Sequence, residues 1–188
     1  MKVTSGILKG KRIKTKRGLS TRPLLSRIRK SLFDVLGEAV KGKKFLDLYA
    51  GSGAVGIEAI SRGAGEVIFV EIDPECVRII KDNLIHCGVY SKAKVYQQDV
   101  LHILPLLLKE DDFDFIFVGP PYFKGLQDKT LDIIQRSNNF KGEVIVQHSP
   151  KEKFNLQREE IYLIEPVSYT HLRAHETSLH LVCRLLLE

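Results

Sequence analysis

Short apolar runs alternate along the chain with segments in which apolar residues recur every three or four positions. The runs predict buried strands, because a strand covered on both faces of a parallel sheet is apolar throughout. These strands lie at 45–49, 67–70, 93–100 together with its loop, 113–118 and 143–147. Helices are predicted over 54–61, from Pro74 to a stop at Gly88, over 100–108 and over 126–134. The alternation predicts one α/β domain with a mostly parallel sheet and helices on both faces.

The helix that begins at Pro74 has its own apolar stripe. The side chains predicted to form its buried face are Val77, Ile80, Leu84 and Ile85.

Two more elements are predicted ahead of the first strand. Residues 3–14 are interrupted by Gly6 and Gly10, which favours a β-hairpin. Ser20 to Pro23 supplies hydroxyl caps and a proline for a first turn, so a helix is expected to start there. The helix has an apolar stripe of Ile28, Leu32, Phe33 and Leu36. Arg27, Arg29 and Lys30 lie largely off this stripe, on either a solvated face or an RNA-facing rim.

A glycine turn follows the strand at 45–49, and Gly51, Gly53 and Gly56 satisfy G-x-G-x-x-G. Strand, glycine turn and helix together open a nucleotide-binding βαβ unit. Asp47 is the unusual residue, because a carboxylate inside an apolar strand needs a reason to lose its water. The ammonium and sulfonium groups of S-adenosylmethionine would supply that reason. The alternatives are a dinucleotide turn with a stray Asp, or a purely structural glycine turn.

Acidic residues also stand at the tips of the next two strands. Glu71 comes 18 residues after Gly53, where an acidic residue accepts the ribose hydroxyls of a bound nucleoside. Asp99 is placed to accept from the adenine N6 amine or to cap the following helix, and both roles are compatible. The predicted donor-binding residues are Asp47, Tyr49, Gly51, Gly53, Glu71, Ile72, Asp99 and Val100.

The fourth predicted strand runs into Gly119, Pro120, Pro121 and Tyr122. Two prolines followed by an aromatic residue make a rigid turn. In this fold the turn would stand beside the glycine turn at the carboxyl edge of the sheet, where ligands bind.

Composition narrows the class of protein. The chain has 188 residues and is 44% hydrophobic, which suits one α/β domain with a full core. No apolar run reaches the roughly 18–20 residues of a membrane span, and no secretory signal is visible. The three scattered cysteines fit a reducing cytoplasm.

Positive charge is concentrated at the N-terminus. The net charge is +6, yet residues 1–30 hold eleven Lys and Arg and no Asp or Glu, so the remainder has 18 basic and 23 acidic residues, a net of −5. This asymmetry predicts a basic arm that meets a polyanion, with a solvated tail as the alternative. The candidate RNA contacts are Lys9, Lys11, Arg12, Lys14, Arg22 and Arg27.

These motifs resemble a known family. The run from Leu46 to Ala59, Glu71, Asp99 and the Pro-Pro-Tyr turn are similar to the bacterial 16S rRNA guanine-N2 methyltransferases, the small-subunit methyltransferase D family. The N-terminal Ser5-Gly6 and Thr21-Arg22-Pro23 fit the same pattern, and the resemblance covers roughly residues 1–165.

The resemblance implies a Rossmann-like class I methyltransferase fold, S-adenosylmethionine as donor and no metal. Its substrate would be a guanine of 16S rRNA, in naked RNA or in a small-subunit assembly intermediate. It also implies that residues 119–122 hold the flipped-out base, with Tyr122 stacked on it. The domains are then a basic arm over 1–20, a methyltransferase domain over 21–165 and a tail over 166–188.

Position 119 departs from the family pattern, which has Asp where this chain has Gly119. In the family that carboxylate accepts from the exocyclic amine of the base. One alternative to guanine-N2 transfer is therefore a catalytically weak protein that binds RNA and donor. Another is an adenine-N6 methyltransferase, since the Pro-Pro-Tyr turn serves that amine too. A nicotinamide dehydrogenase is a further alternative, which Asp47 and the Pro-Pro-Tyr turn argue against.

The tail also departs from the pattern, since half of the six histidines fall in the last 18 residues. It is predicted to be non-native sequence, and His171, His175 and Glu176 are not expected to form a metal site. The spacing of Leu172, His175, Leu179, Val182 and Leu186 favours a short amphipathic helix.

Overall fold

In a computed structural model of the chain, the described residues are 1–16, 26–137, 140–148, 161–164 and 181–186. The helices are α1 (Ser26–Leu36), α2 (Ala54–Ser61), α3 (Pro74–Cys87), α4 (Val100–Glu110) and α5 (Leu126–Arg136), with 3₁₀ turns at Gly37–Val40 and Tyr90–Lys92. The strands are β1 (Lys44–Leu48), β2 (Glu66–Glu71), β3 (Ala93–Gln97), β4 (Phe115–Val118), β5 (Glu143–His148), β6 (Ile161–Ile164) and β7 (Leu181–Leu186).

These strands form one sheet in the order β3-β2-β1-β4-β5-β7-β6. Strands β1 to β5 are parallel to one another, whereas β7 runs antiparallel to both β5 and β6. The five strands predicted from the apolar runs are confirmed, and so is the mostly parallel sheet. The predicted helical spacing over the tail is wrong for Val182 and Leu186, because both lie in β7. Residues 165–180, with the three candidate metal ligands of the tail, lie outside the described residues.

Successive side chains of each strand pack on opposite faces of the sheet. Phe45, Val67 and Phe69 pack in the core under α1, α2 and α3, while their neighbours Leu46 and Ile68 pack in the core under α4 and α5. The two cores confirm that helices cover both faces. Within α3 the buried face is correct for Val77, Ile80 and Leu84. Ile85 is 65% exposed instead, because it has rotated out of the stripe that faces the sheet.

The N-terminal segment folds back on itself through a single antiparallel bridge between Lys2 and Arg12, and it packs on α2. The Val3 amide donates to the Lys11 carbonyl at 3.0 Å, and Val3, Leu8 and Ile13 are buried. Gly6 has φ +79°, and a Cβ there would lie 1.8 Å from the Ser61 carbonyl oxygen. Only glycine permits this approach, so the hairpin is docked on the domain.

A buried ion pair fastens the same contact. Arg29 is 0% exposed, and its Nε donates to the Glu58 carboxylate at 3.1 Å. That carboxylate also accepts from the Thr4 and Ser5 amides at 2.9 Å each and from the Thr4 hydroxyl at 2.6 Å. Placing Arg29 on a solvated or RNA-facing side of α1 was therefore wrong.

Candidate active site

Strand register brings the predicted motifs to one edge of the sheet. Leu48 of β1 is level with Val70 of β2 and with Val118 of β4. The residues that follow each strand therefore lie side by side at the carboxyl edge, the glycine turn in the middle, with Glu71 beside it and the diproline turn on its other flank. The Gly119 amide donates to the Leu48 carbonyl at 3.3 Å, which ties the diproline turn to the end of β1.

The glycine turn has the geometry that its sequence predicts. Gly51 and Gly53 have φ values of +55° and +75°, which favour glycine. A Cβ on Gly56 would lie 2.3 Å from the Phe69 ring, so the third glycine allows α2 to pack closely on β2. Tyr49 adopts φ +59° although it is not a glycine, and this costs of order 1–3 kcal/mol. Strain of this kind concentrates at functional sites. Here the strained residue changes the direction of the backbone at the end of β1.

Asp47 lies beneath this turn. It is 1% exposed, and its Oδ2 accepts from the Gly56 amide at 2.8 Å. Desolvation raises the pKa of the carboxyl to about 8, the nearby charge of Glu71 adds to this rise, and the bond from Gly56 opposes it. The observed role of Asp47 is thus to hold the first turn of α2, and direct contact with a donor stays a prediction.

Replacing Asp47 with Asn is expected to flatten the pH dependence of stability. The folded pKa of about 8 lies above the reference value of 3.8, so the native state keeps a proton that the unfolded chain releases. The parent therefore loses stability as pH rises from about 4 to about 8, by up to about 1.4 kcal/mol per pH unit. Asn still offers an oxygen to the Gly56 amide, so the variant should gain relative to the parent as pH rises.

Urea unfolding at pH 5 and pH 8 measures this difference. The exposed carboxylate of Asp112, changed to Asn, serves as the control. Parallel pH profiles for the parent and the Asp47 variant would contradict the expectation.

Glu71 is joined to the glycine turn. Its Oε2 accepts from the Gly51 amide at 2.7 Å and its Oε1 from the Asp73 amide at 2.9 Å. The carboxylate is half-buried, so it is fixed in place while part of it faces the edge. Next to it, Ile72 is 60% exposed and offers an apolar surface.

Asp99 caps α4, as one of its two predicted roles requires. Its Oδ1 accepts from the Leu101 amide at 2.8 Å, and the residue is otherwise exposed. Val100 is buried in the core beneath it. Across the edge, the Tyr49 hydroxyl is 2.8 Å from Oγ1 of Thr130 on α5, and burial raises the pKa of this phenol.

In the diproline turn Pro120 is buried, Pro121 is exposed and Tyr122 is half-buried. Nε2 of Gln147 donates to the Tyr122 hydroxyl at 2.6 Å. Phe123 is 68% exposed at φ +59°, and its ring centroid is 6.3 Å from that of Tyr122. Tyr122 and Phe123 thus form an aromatic pair at the end of the diproline turn.

The predicted RNA contacts are spread over the docked hairpin and α1. Lys9, Arg12 and Arg27 are exposed. Lys11 donates to the Cys87 carbonyl at 3.1 Å, and Lys14 lies 3.5 Å from Asp82. Arg22 lies outside the described residues.

Two polar residues of this region were missed by sequence reasoning. Asn83, 1% exposed on α3, accepts from the Lys14 amide and donates to the carbonyls of Lys14 and Ser52. It therefore joins the basic arm to the glycine turn. Gln147 was the second, a polar residue at the end of an apolar strand. Its polar side chain directly after three apolar residues was the only feature of the sequence that could have indicated a role for Gln147.

A cavity of about 530 Å³ lies at the opposite edge of the sheet, where β1, β4 and β5 begin. It is lined by Lys43, Asp111, Phe113 and Phe140 among others, and by no predicted donor or base residue. Among the described residues no group of three or more His, Cys, Asp or Glu is arranged to hold a metal ion. Every helix in the described ranges is too short or too polar to span a bilayer.

Residues 1–172 match the family described as Conserved hypothetical protein 95. The chain is 35% identical over 133 residues to the ribosomal RNA small subunit methyltransferase D of Buchnera aphidicola subsp. Acyrthosiphon pisum, which covers 71% of this chain and 69% of that protein. It is 27% identical over 182 residues to the protein of the same name in Haemophilus influenzae, covering 95% and 90%. A solved hypothetical protein of Thermus thermophilus has a TM-score of 0.77 at 28% identity and covers 100% of this chain and 99% of that one. The similarity therefore includes every element that builds the site.

Proposed function

The chain belongs to the Conserved hypothetical protein 95 family, the small-subunit methyltransferase D family, and we propose that it transfers a methyl group from S-adenosylmethionine to the exocyclic N2 amine of a guanine in 16S rRNA. The observation that carries the proposal is the shared edge. There the strained glycine turn, the fixed Glu71 carboxylate and the diproline turn with Tyr122 lie side by side.

The residues of this edge fit a sulfonium nucleoside. The Glu71 carboxylate keeps lone pairs for ribose hydroxyls while two backbone amides hold it in place. Ile72 gives an apolar surface for a purine ring, and Asp99 stands at the next strand tip to accept from its amine. The methyl group of the donor is already activated by the sulfonium charge, so the protein mainly orients the two reactants.

The diproline turn would hold the base. The lone pair of an exocyclic amine is delocalised into the ring, so the nitrogen is a poor nucleophile. Acceptors on its protons favour a tetrahedral nitrogen with the lone pair aimed at the methyl group. In this chain the Pro120 carbonyl is one such acceptor, Tyr122 stacks on the ring, and Gly119 contributes no side chain.

RNA would be held by the docked arm. Lys9 and Arg12 are exposed on the hairpin and Arg27 on α1, so all three can meet phosphates. Asn83 links this arm to the glycine turn, so an RNA-facing surface on the arm would lie near the proposed donor site. The substrate would be 16S rRNA, free or in a small-subunit assembly intermediate.

The missing carboxylate at position 119 favours a second candidate, a protein that binds RNA and donor but transfers the methyl group weakly. An adenine-N6 methyltransferase is the other alternative, because a Pro-Pro-Tyr turn can serve that amine as well.

The test incubates the protein with labelled donor and small-subunit rRNA, both protein-free and partly assembled, and identifies the methylated nucleoside by mass. We expect N2-methylguanosine, and calorimetry should detect donor binding that the Glu71→Ala variant loses. Donor binding without transfer would favour the second candidate, and N6-methyladenosine the third. A chain that does not bind the donor would overturn all three.

A further inference from the structure

Gln147 is a buried polar residue in an apolar strand. Its β5 neighbours Val144, Ile145 and Val146 are at most 1% exposed, and Gln147 itself is 6% exposed. Burying a carboxamide is costly unless it forms hydrogen bonds, so packing alone does not account for this side chain. It stands one residue past Val146, which is level with Val118 of β4, and so at the carboxyl edge.

The two ends of this carboxamide reach different parts of the diproline turn. Nε2 donates to the Tyr122 hydroxyl at 2.6 Å. A Cβ on Gly119 would lie 3.4 Å from Oε1. The amide oxygen therefore lies next to the space that a side chain at position 119 would enter, while the amide nitrogen binds the Tyr122 hydroxyl.

We propose that Gln147 takes over, in this chain, the acceptor role that a residue at position 119 cannot play, with Oε1 accepting from the base amine while Nε2 orients Tyr122. The proposal rests on the proposed function and assigns a residue on a different strand to the same reaction. In that reaction the amine nitrogen bonds to the methyl carbon as the sulfur–methyl bond breaks. The bonding pair stays on sulfur, and the proton lost by nitrogen passes to water.

Three variants separate the two ends of the carboxamide. Gln147→Met keeps the length and loses both polar atoms. Gln147→Glu keeps an acceptor, which the Tyr122 hydroxyl can still contact by donating to it. Tyr122→Phe removes only the hydroxyl that Gln147 orients.

Single-turnover transfer is expected to fall about tenfold in Gln147→Met, the size of one lost hydrogen bond in the transition state. It should fall by less in Tyr122→Phe and stay near or above the parent in Gln147→Glu. Donor affinity by calorimetry should be equal in all. Gln147→Met within twofold of the parent, or equal losses in Met and Glu variants, would overturn the acceptor role.

Ligand binding keeps this test separate from the proposed function. Inosine monophosphate lacks the amine of guanosine monophosphate, so NMR titration of the donor-loaded protein with each compares amine recognition without transfer. We expect the parent and Gln147→Glu to prefer the guanosine compound, and Gln147→Met to lose that preference. No preference in the parent would overturn the Gln147 proposal even if rRNA is methylated. A preference that depends on Gln147 would support it even if no transfer is detected.

Discussion

Replacing Gly119 with Asp is expected to raise the rate of methyl transfer by about tenfold, the difference between a charge-assisted hydrogen bond and the neutral one proposed for Gln147. A carboxylate at this position would accept from the base amine more strongly than a neutral oxygen, because charge-assisted hydrogen bonds are the stronger ones. In the proposed function the donor would bind on the glycine-turn side of the edge, so its affinity should not change.

Packing opposes part of this gain. A Cβ on Gly119 would lie 2.7 Å from Cε1 of Phe117, whose ring is 3% exposed, so the ring must move to admit any side chain. Gly119→Ala has the same Cβ without the carboxylate and is the matched control. The rate ratio of the Asp variant to the Ala variant therefore isolates the carboxylate from the packing cost.

Single-turnover rates with labelled donor and small-subunit rRNA give this ratio, and thermal unfolding of both variants monitors the packing cost. Equal rates for parent, Ala and Asp variants would mean that position 119 does not contact the amine. An Asp variant that transfers no faster than the Ala variant, at equal donor affinity, would contradict the same assignment.

The fold could be predicted because its strongest signals are local. Five apolar runs became β1 to β5, and the glycine turn was recognised because closely spaced glycines follow an apolar strand. Strand β7 could not be predicted, since its pairing with β5 and β6 joins distant residues and its spacing also suits a helix. Ile85 was misplaced because an apolar residue fits a stripe by spacing alone, whereas α3 turns it to solvent.

The positions of the candidate site residues were easier to predict than their contacts, and their binding roles stay predictions. Glu71 contacts the glycine turn through the Gly51 amide, and the diproline turn begins at the same edge, because parallel strands end together. Asp47 was predicted to face the positive charge of a ligand. In the structure its carboxylate accepts from the amide of Gly56, nine residues further along the chain. The contacts of Arg29 and Gln147 could not be predicted, because each side chain bonds to a residue distant in sequence. Arg29 pairs with Glu58, and Gln147 donates to Tyr122.

Replacing Glu58 with Gln is expected to destabilise the protein by about 3–5 kcal/mol, because it removes one partner of a buried ion pair. Arg29 and Glu58 are both 0% exposed in their side chains, so water cannot replace the lost charge. The new amide nitrogen would also face the Thr4 or Ser5 amide, setting donor against donor where the carboxylate now accepts. The loss should appear as a lower urea midpoint with an unchanged m value.

Asp34→Asn is the matched control for that change. Asp34 also pairs with two cations, Lys30 at 2.6 Å and Arg62 at 2.9 Å, but its side chain is 45% exposed. Exposed pairs contribute less than about 1 kcal/mol, so this variant should unfold close to the parent. Similar losses for the two variants would contradict a special role for the buried carboxylate.

Because Glu58 also fastens the hairpin that presents Lys9 and Arg12, its loss should weaken RNA binding more than donor binding. The same weakening in both would contradict the assignment of RNA contacts to the hairpin.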